Sequence, residues 1–409
     1  MRLIVTAGIG SGKSTVCAML AKMLPTYESF SVDDAVRGLY DDTAFQAELT
    51  AHFGVSKRSQ LSALVFADPL KRRELERLSS RFLSPLIAKA MELPRVMVEF
   101  PLLFEVPGWA HRADFKLALG CAPEIQRARV LARDSISSEK FDRIVSAQHS
   151  TELKKCLCDA YIDTSGTLSD VEQSVLALLP ELKRRELKAR CNRFFGTRAI
   201  WPLIEAAYSQ PHRAYHNLEH LQEVFSALEE RNGPANGTLT PHSQAIELAV
   251  WFHDFVYNTQ LPAYALNESL SAQAMFQTLA EHLPHWLEGN LGQEVFLAVE
   301  FILATRKHSL DTPYLNADPG RRAAAARFLD ADLAVLAAPA ARFARYDADI
   351  ATEWGQKASA LSPEFRQGRA NALSKFLERS AIFLSDYSAQ RESLARQNLQ
   401  RKLEELRTS

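Results

Sequence analysis

Apolar and polar positions change rhythm once along the chain. Up to about residue 182, short apolar runs alternate with segments of helical period: RLIVTA then KSTVCAMLAKML, RVMVEF, FKLALGC then EIQRARVLARD, and AYIDTS then DVEQSVLALL. Brief apolar runs bounded by turn residues read as strands, and strands alternating with helices form a parallel sheet with helices on both faces. Residues 41–91 carry helical period and many charges, which fits a helical insertion over the C-terminal edge of that sheet. After residue 192 strand signals nearly vanish, and long helical patterns such as HNLEHLQEVFSALEER, SQAIELAVWFHDFVY and QEVFLAVEFILATRKH follow, broken by NGPANGTLTP and NADPG. The pattern therefore predicts an α/β domain over 1–182, a linker or solvated helix over 183–191, and an all-α bundle over 192–409.

A chain of 409 residues has room for two cores of ordinary size. Its 48 Lys plus Arg against 49 Asp plus Glu leave no charge excess to attract nucleic acid or an acidic membrane, so small-molecule partners are expected. Five cysteines without a C-x-x-C pair indicate neither a disulfide framework nor a cysteine zinc site. No apolar stretch reaches eighteen residues, and MRLIVTAGIGSGK turns polar too early for a signal peptide; the expected location is cytoplasmic.

The first chemical signal is AGIGSGKST at 7–15, which follows a strand and opens a helix. In that setting glycines let backbone N–H groups surround phosphate oxygens, a lysine reaches the terminal phosphates, and a hydroxyl ligates Mg²⁺. Gly8, Gly10, Ser11, Gly12, Lys13, Ser14 and Thr15 are the expected nucleotide-binding residues, with ATP and Mg²⁺ as ligands. Ala7 stands where the usual pattern begins with Gly.

Residues 1–182 resemble dephospho-coenzyme A kinase. The resemblance rests on GIGSGKST, VDDAVRGLY (32–40), KRSQLSALVF (57–66), FPLLFE (100–105), APEIQRARVLARD (122–134) and CDAYIDTSG, in that order. It implies an ATP-dependent kinase for the ribose 3′-hydroxyl of dephospho-CoA or a related acceptor, with Asp33 as base toward that hydroxyl and Asp34 second. It also implies that Arg133 acts as a lid arginine on the ATP phosphates. Gln126 and Arg129 on the same segment are left between function and surface. The family's His-Pro is Ser84-Pro85 here, and Lys154 and Lys155 replace an arginine, at positions that in the resemblance face the acceptor or its phosphates. Those changes motivate an alternative in which the domain senses nucleotide without transferring phosphate.

The second signal is a set of histidines and carboxylates in apolar helices. RAYHNLEH (213–220) places His216 and His220 four apart, on one face if helical; His253 and Asp254 close AIELAVWF; Asp330 and Asp332 lie in FLDADLAVL; and His308 ends ATRKH. Such groups are costly to bury unpaired, so their recurrence at helix ends suggests convergence on one point in a bundle. The order H…HD…D resembles the HD superfamily of metal-dependent phosphohydrolases, and YHNLEH is similar to a segment of cyclic-nucleotide phosphodiesterases. By that resemblance His220, His253, Asp254 and Asp332 are metal ligands, His216 donates a proton or orients substrate, and the substrate is a nucleotide-like phosphate ester. Glu268 is a candidate base, and His308 a candidate second-metal or phosphate contact. The ligand set suits Mn²⁺, Fe²⁺, Zn²⁺, Co²⁺, Ni²⁺ or Mg²⁺.

Overall fold

The computed structural model describes residues 1–57, 60–61, 64, 68–232, 241–260, 262–357, 359–386 and 389–408. Most of KRSQLSALVF and of the break NGPANGTLTP lie outside them. The chain divides into two compact units, Met1–Arg190 and Cys191–Ser409.

The first unit is built on five parallel strands in the order β2-β3-β1-β4-β5: β1 Arg2–Ala7, β2 Glu28–Ser31, β3 Val96–Glu99, β4 Phe115–Gly120 and β5 Ala160–Asp163. Alternate residues of β1 serve opposite faces, as a pleated strand requires. Leu3, Val5 and Ala7 pack with Val16 and Leu20 of α1 (Lys13–Met23) and with Val171 and Val175 of a long C-terminal helix. Ile4 instead joins Val96, Val98, Phe100 and Ile87 on the other side. Both faces of β1 are thus covered, which is why it and the neighbouring β3 and β4 are mainly apolar.

Three helices, α2 (Val32–Leu39), α3 (Thr43–Phe53) and α4 (Pro69–Ala90), share a small core of Leu39, Phe45, Leu49, Leu61 and Leu78. Of these, α3 and α4 form the helical segment expected over 41–91. Three more, α5 (Pro123–Asp134), α6 (Ser138–Ser146) and α7 (Thr151–Leu157), separate β4 from β5. The last, α8, runs Leu168–Phe195, so residues 183–191 are helical, and Leu182 and Ala189 join the sheet's core.

Helices dominate the second unit. They are α9 (Trp201–Tyr208), α10 (Leu218–Asn232), α11 (Ser243–Phe252), α12 (Asn267–His282), α13 (Gly289–Thr305), α14 (Pro319–Asp332), α15 (Ala340–Glu353), α16 (Pro363–Leu377) and α17 (Ala389–Thr408). The second half of α11, Leu248–Phe252, is apolar around its circumference and buried. Such a helix must be enclosed by others, and α13 and α14 pack directly on it. A second core joins Leu336, Phe343, Leu373, Leu399 and Leu403. Among the described residues no helix is long and apolar enough to cross a membrane.

Candidate active sites

In the first unit the turn between β1 and α1 lines a cavity of about 970 Å³, together with Asp33, Glu99, Arg129, Arg133 and Gln148. Gly10 and Gly12 have φ of +73° and +71°, in the left-handed region. A Cβ on Gly10 would also stand 2.5 Å from Val130 of α5, so the loop and that helix meet without room for a side chain. Ile9 is clasped from both sides: its carbonyl accepts from Gln126 Nε2 at 2.6 Å, and its N–H donates to Gln148 Oε1 at 3.1 Å. Gln126, undecided from sequence, therefore braces the phosphate loop.

Lys13 opens α1 and meets two carboxylates. Its Nζ contacts Glu99 and lies 3.5 Å from Asp33 Oδ2. Burial lowers the Lys13 pKa while Asp33 counteracts it. The Ser14 hydroxyl donates to the same Glu99 oxygen at 3.4 Å. Glu99 was not recognised in the sequence, where VMVE reads as a strand ending on a polar residue. It reaches the loop because β3 runs parallel to β1 with Glu99 opposite Val5.

The neighbouring aspartates separate cleanly. Asp33 faces Lys13, whereas Asp34 pairs with Arg37 at 3.2 Å and is 68% exposed. Arg133 lines the cavity but pairs with Asp134 at 2.6 Å. Arg129 donates to the Thr164 carbonyl at 2.9 Å, so it too is structurally engaged. Lys154 differs most from its sequence reading. It is buried, donates to the Pro101 carbonyl at 2.7 Å and pairs with Glu105 at 3.3 Å, so it anchors the segment after Glu99 instead of facing an acceptor.

In the second unit α10, α11 and α14 bring three groups together: His220, His253 and Asp332 offer ligand atoms that all lie within 4.8 Å of one another. The two Nε2 atoms are 3.0 Å apart, and Asp332 Oδ1 lies 3.1 Å from that of His220 and 3.5 Å from that of His253. Asp254 Oδ2 joins them at 3.0 Å from His253 Nε2 and 3.6 Å from His220 Nε2. His253 Nδ1 lies 3.1 Å from the Val250 carbonyl; donating there leaves the Nε2 lone pair facing the cluster. Burial disfavours charge on His253, but Asp254 and Asp332 outweigh it and raise its pKa well above the ordinary histidine range. Asp332 is driven the opposite way: burial resists ionisation, yet His253, His220 and His308 hold it far below the usual carboxylate range.

His216 is not on the helix with His220, because α10 begins only at Leu218. Glu353, at the end of α15, explains the difference. Its Oε1 accepts the N–H groups of Tyr215 and His216, each at 2.8 Å, holding those residues in a turn. Its Oε2 meets His216 Nδ1 at 2.7 Å and accepts from the Tyr257 hydroxyl at 2.9 Å. Burial acts against protonation of His216, but Asp254 and Glu353 raise its pKa overall.

The remaining candidates are sorted by their contacts. His308 lies beyond the end of α13, at φ 44°, with Nε2 3.0 Å from Asp332 Oδ2. Asp330 accepts from the N–H groups of Leu384 and Ser385 at 2.6 and 2.9 Å, so it ties down that segment. Glu268 sits half-buried in the first turn of α12, and among the described residues no hydrogen bond or ion pair joins it to the histidines.

A five-stranded parallel sheet with a glycine-lined loop, a lysine at the mouth of α1 and carboxylates facing that lysine define the first unit as a P-loop kinase fold. The profile of the family described as Dephospho-CoA kinase matches residues 1–170. The dephospho-CoA kinase of Bradyrhizobium diazoefficiens is 33% identical over 44% of this chain and 96% of its own length, and that of Rhizobium etli 32% over 46% and 97%. A solved dephospho-CoA kinase from Campylobacter jejuni is 21% identical over 44% of this chain and 96% of that one, with a TM-score of 0.35. Through its first unit, the chain belongs to the dephospho-CoA kinase family.

Proposed function

We propose that the chain is a bifunctional enzyme, whose first unit phosphorylates the ribose 3′-hydroxyl of dephospho-CoA from ATP and whose second unit is an HD-type phosphohydrolase. For the kinase, the carrying observation is the convergence of Lys13, Asp33 and Glu99 at the phosphate loop. The loop N–H groups and Lys13 bind the ATP phosphates, and Ser14 and Glu99 are the groups that would hold Mg²⁺, which neutralises charge as the phosphoryl group transfers. Asp33, half exposed beside Lys13, takes the proton of the acceptor hydroxyl. Arg133 leaves Asp134 for the nucleotide phosphates.

Two substitutions test this arrangement. Asp33→Asn is expected to lower kcat about 10²- to 10⁴-fold, the usual contribution of a positioned base, whereas Asp34→Asn stays within about threefold. Glu99→Gln leaves Lys13 in place but weakens the metal's grip, so the Mg²⁺ concentration for half-maximal rate should rise about tenfold or more. Both are read in a coupled assay with dephospho-CoA and ATP. Retained ATP binding with no transfer in the wild type would assign the unit to nucleotide sensing.

For the second unit, the carrying observation is that two imidazole nitrogens stand 3.0 Å apart and each of two carboxylate oxygens lies 3.0–3.6 Å from both of them. With metal–nitrogen bonds of about 2.1 Å, adjacent ligands of one ion stand about 3 Å apart, so the residues fit a divalent cation. His220, His253, Asp254 and Asp332 would hold such an ion, and the chemistry it would supply there is a more acidic water and a polarised phosphate oxygen. Glu353 accepts from His216 Nδ1–H and favours the doubly protonated ring, whose Nε2–H is then the proton given to the leaving oxygen. His308 contacts phosphate or a second ion, and Glu268 stays a candidate outside this cluster. Nucleotide-like phosphate esters are the proposed substrates. Elemental analysis of freshly purified protein, followed by a nucleotide panel with Mn²⁺, tests the reading; no bound metal and no hydrolysis would overturn it.

A further inference from the structure

Arg213 is almost fully buried, yet among the described residues none of its hydrogen-bond acceptors is a carboxylate. Its Nε donates to Gln210 Oε1 at 3.0 Å. One terminal nitrogen donates to the carbonyls of His216 at 3.0 Å and Asp254 at 2.6 Å, and the other to the carbonyl of Phe255 at 2.9 Å. The rings of Tyr208 and Tyr257 lie 5.1 and 5.5 Å from the guanidinium carbon. The grip joins two segments distant in sequence. One is the turn carrying His216 into α10, where His220 stands; the other is the turn after α11, which carries His253 and Asp254.

We propose that Arg213 is a positioning residue for the metal centre, which fixes the Asp254 turn against the His216–His220 segment through their backbone carbonyls. The inference rests on the metal reading of the second unit. Arginine suits this work because its planar fork presents five N–H donors in fixed directions and stays charged when buried. Lysine has one nitrogen on a flexible stem and cannot span three carbonyls on two segments. The competing explanation is ordinary stability, since basic side chains commonly satisfy carbonyls left open beyond a helix end. The two differ in what they move: a stabilising cap changes unfolding alone, whereas a positioning residue changes affinity for the ion in protein that is still folded.

The experiment uses the full chain and Mn²⁺ alone, with Kd measured by chelator competition and the metal-free Tm measured in parallel. Arg213→Lys is expected to weaken Mn²⁺ binding about 10- to 100-fold, as loss of a group supporting metal ligands commonly does. Leu279→Ala, a buried core lesion in α12, is expected to lower Tm and leave Kd unchanged. An Arg213→Lys protein that binds Mn²⁺ like wild type overturns the proposal, as does an equal loss of affinity in Leu279→Ala at matched Tm. If Arg213→Lys does not fold, Gln210→Ala decides: it unpartners one donor and should weaken binding about threefold, and an unchanged Kd overturns the proposal. Wild-type protein that binds no Mn²⁺ overturns the metal reading itself, a result distinct from equal binding by wild type and variant.

Discussion

Lys13→Ala is expected to reduce phosphate transfer to dephospho-CoA about 10³-fold and to leave Mn²⁺ binding by the second unit unchanged. Lys13 is the cation at the mouth of α1, and its side chain is only 12% exposed. Replacing it removes positive charge where charge develops on the transferring phosphoryl group, and a single preorganised donor of this kind is worth about 10²–10³ in rate. It also strips Glu99, itself 17% exposed, of its cation, so an uncompensated carboxylate would face the incoming phosphates. The loss should appear in kcat and in ATP affinity together. Coupled-assay kinetics and nucleotide titration check it, and transfer within tenfold of wild type would remove Lys13 from the mechanism.

Asp254→Ala is expected to have a comparable effect in the second unit: loss of more than about 100-fold in Mn²⁺ affinity, with kinase kinetics unchanged. Asp254 supplies one of two carboxylates that confront the paired imidazoles, and without it His253 retains only Asp332. Linkage gives a second readout. A ligand at 100 times its Kd stabilises the fold that binds it by about 2.7 kcal/mol, so Mn²⁺ should raise the wild-type Tm and leave that of the variant nearly unmoved. An equal Mn²⁺-induced Tm rise in both proteins would exclude Asp254 as a ligand.

Much of the fold was legible because it rests on local periodicity. The apolar runs at 2–7, 96–99 and 115–120 became strands, and the apolar circumference of 248–252 became an enclosed helix. The phosphate loop was equally readable, since its glycines, lysine and serine are contiguous. Groups that matter through long-range pairing were not. Glu99 acquires its place from parallel register, and Glu353 reaches His216 across 137 positions of sequence. Arg213 sits within the quoted RAYHNLEH stretch, yet its acceptors are carbonyls, which side-chain patterns do not encode. His216 and His220 were expected on one helical face; a carboxylate from α15 captures two backbone N–H groups and delays the helix until Leu218. Lys154 and Lys155 were both read as facing the acceptor, but Lys154 is buried against Pro101 and Glu105, and Lys155 Nζ lies 4.9 Å from the Tyr161 ring centroid.

The two oxygens of Asp332 look toward different partners, one to His220 and His253 and the other to His308. This carboxylate is therefore a junction, and Asp254 a spur. Damage at 254 leaves His308 still tied to the imidazoles through the surviving acid, whereas damage at 332 would strand His308 and leave the imidazoles to Asp254.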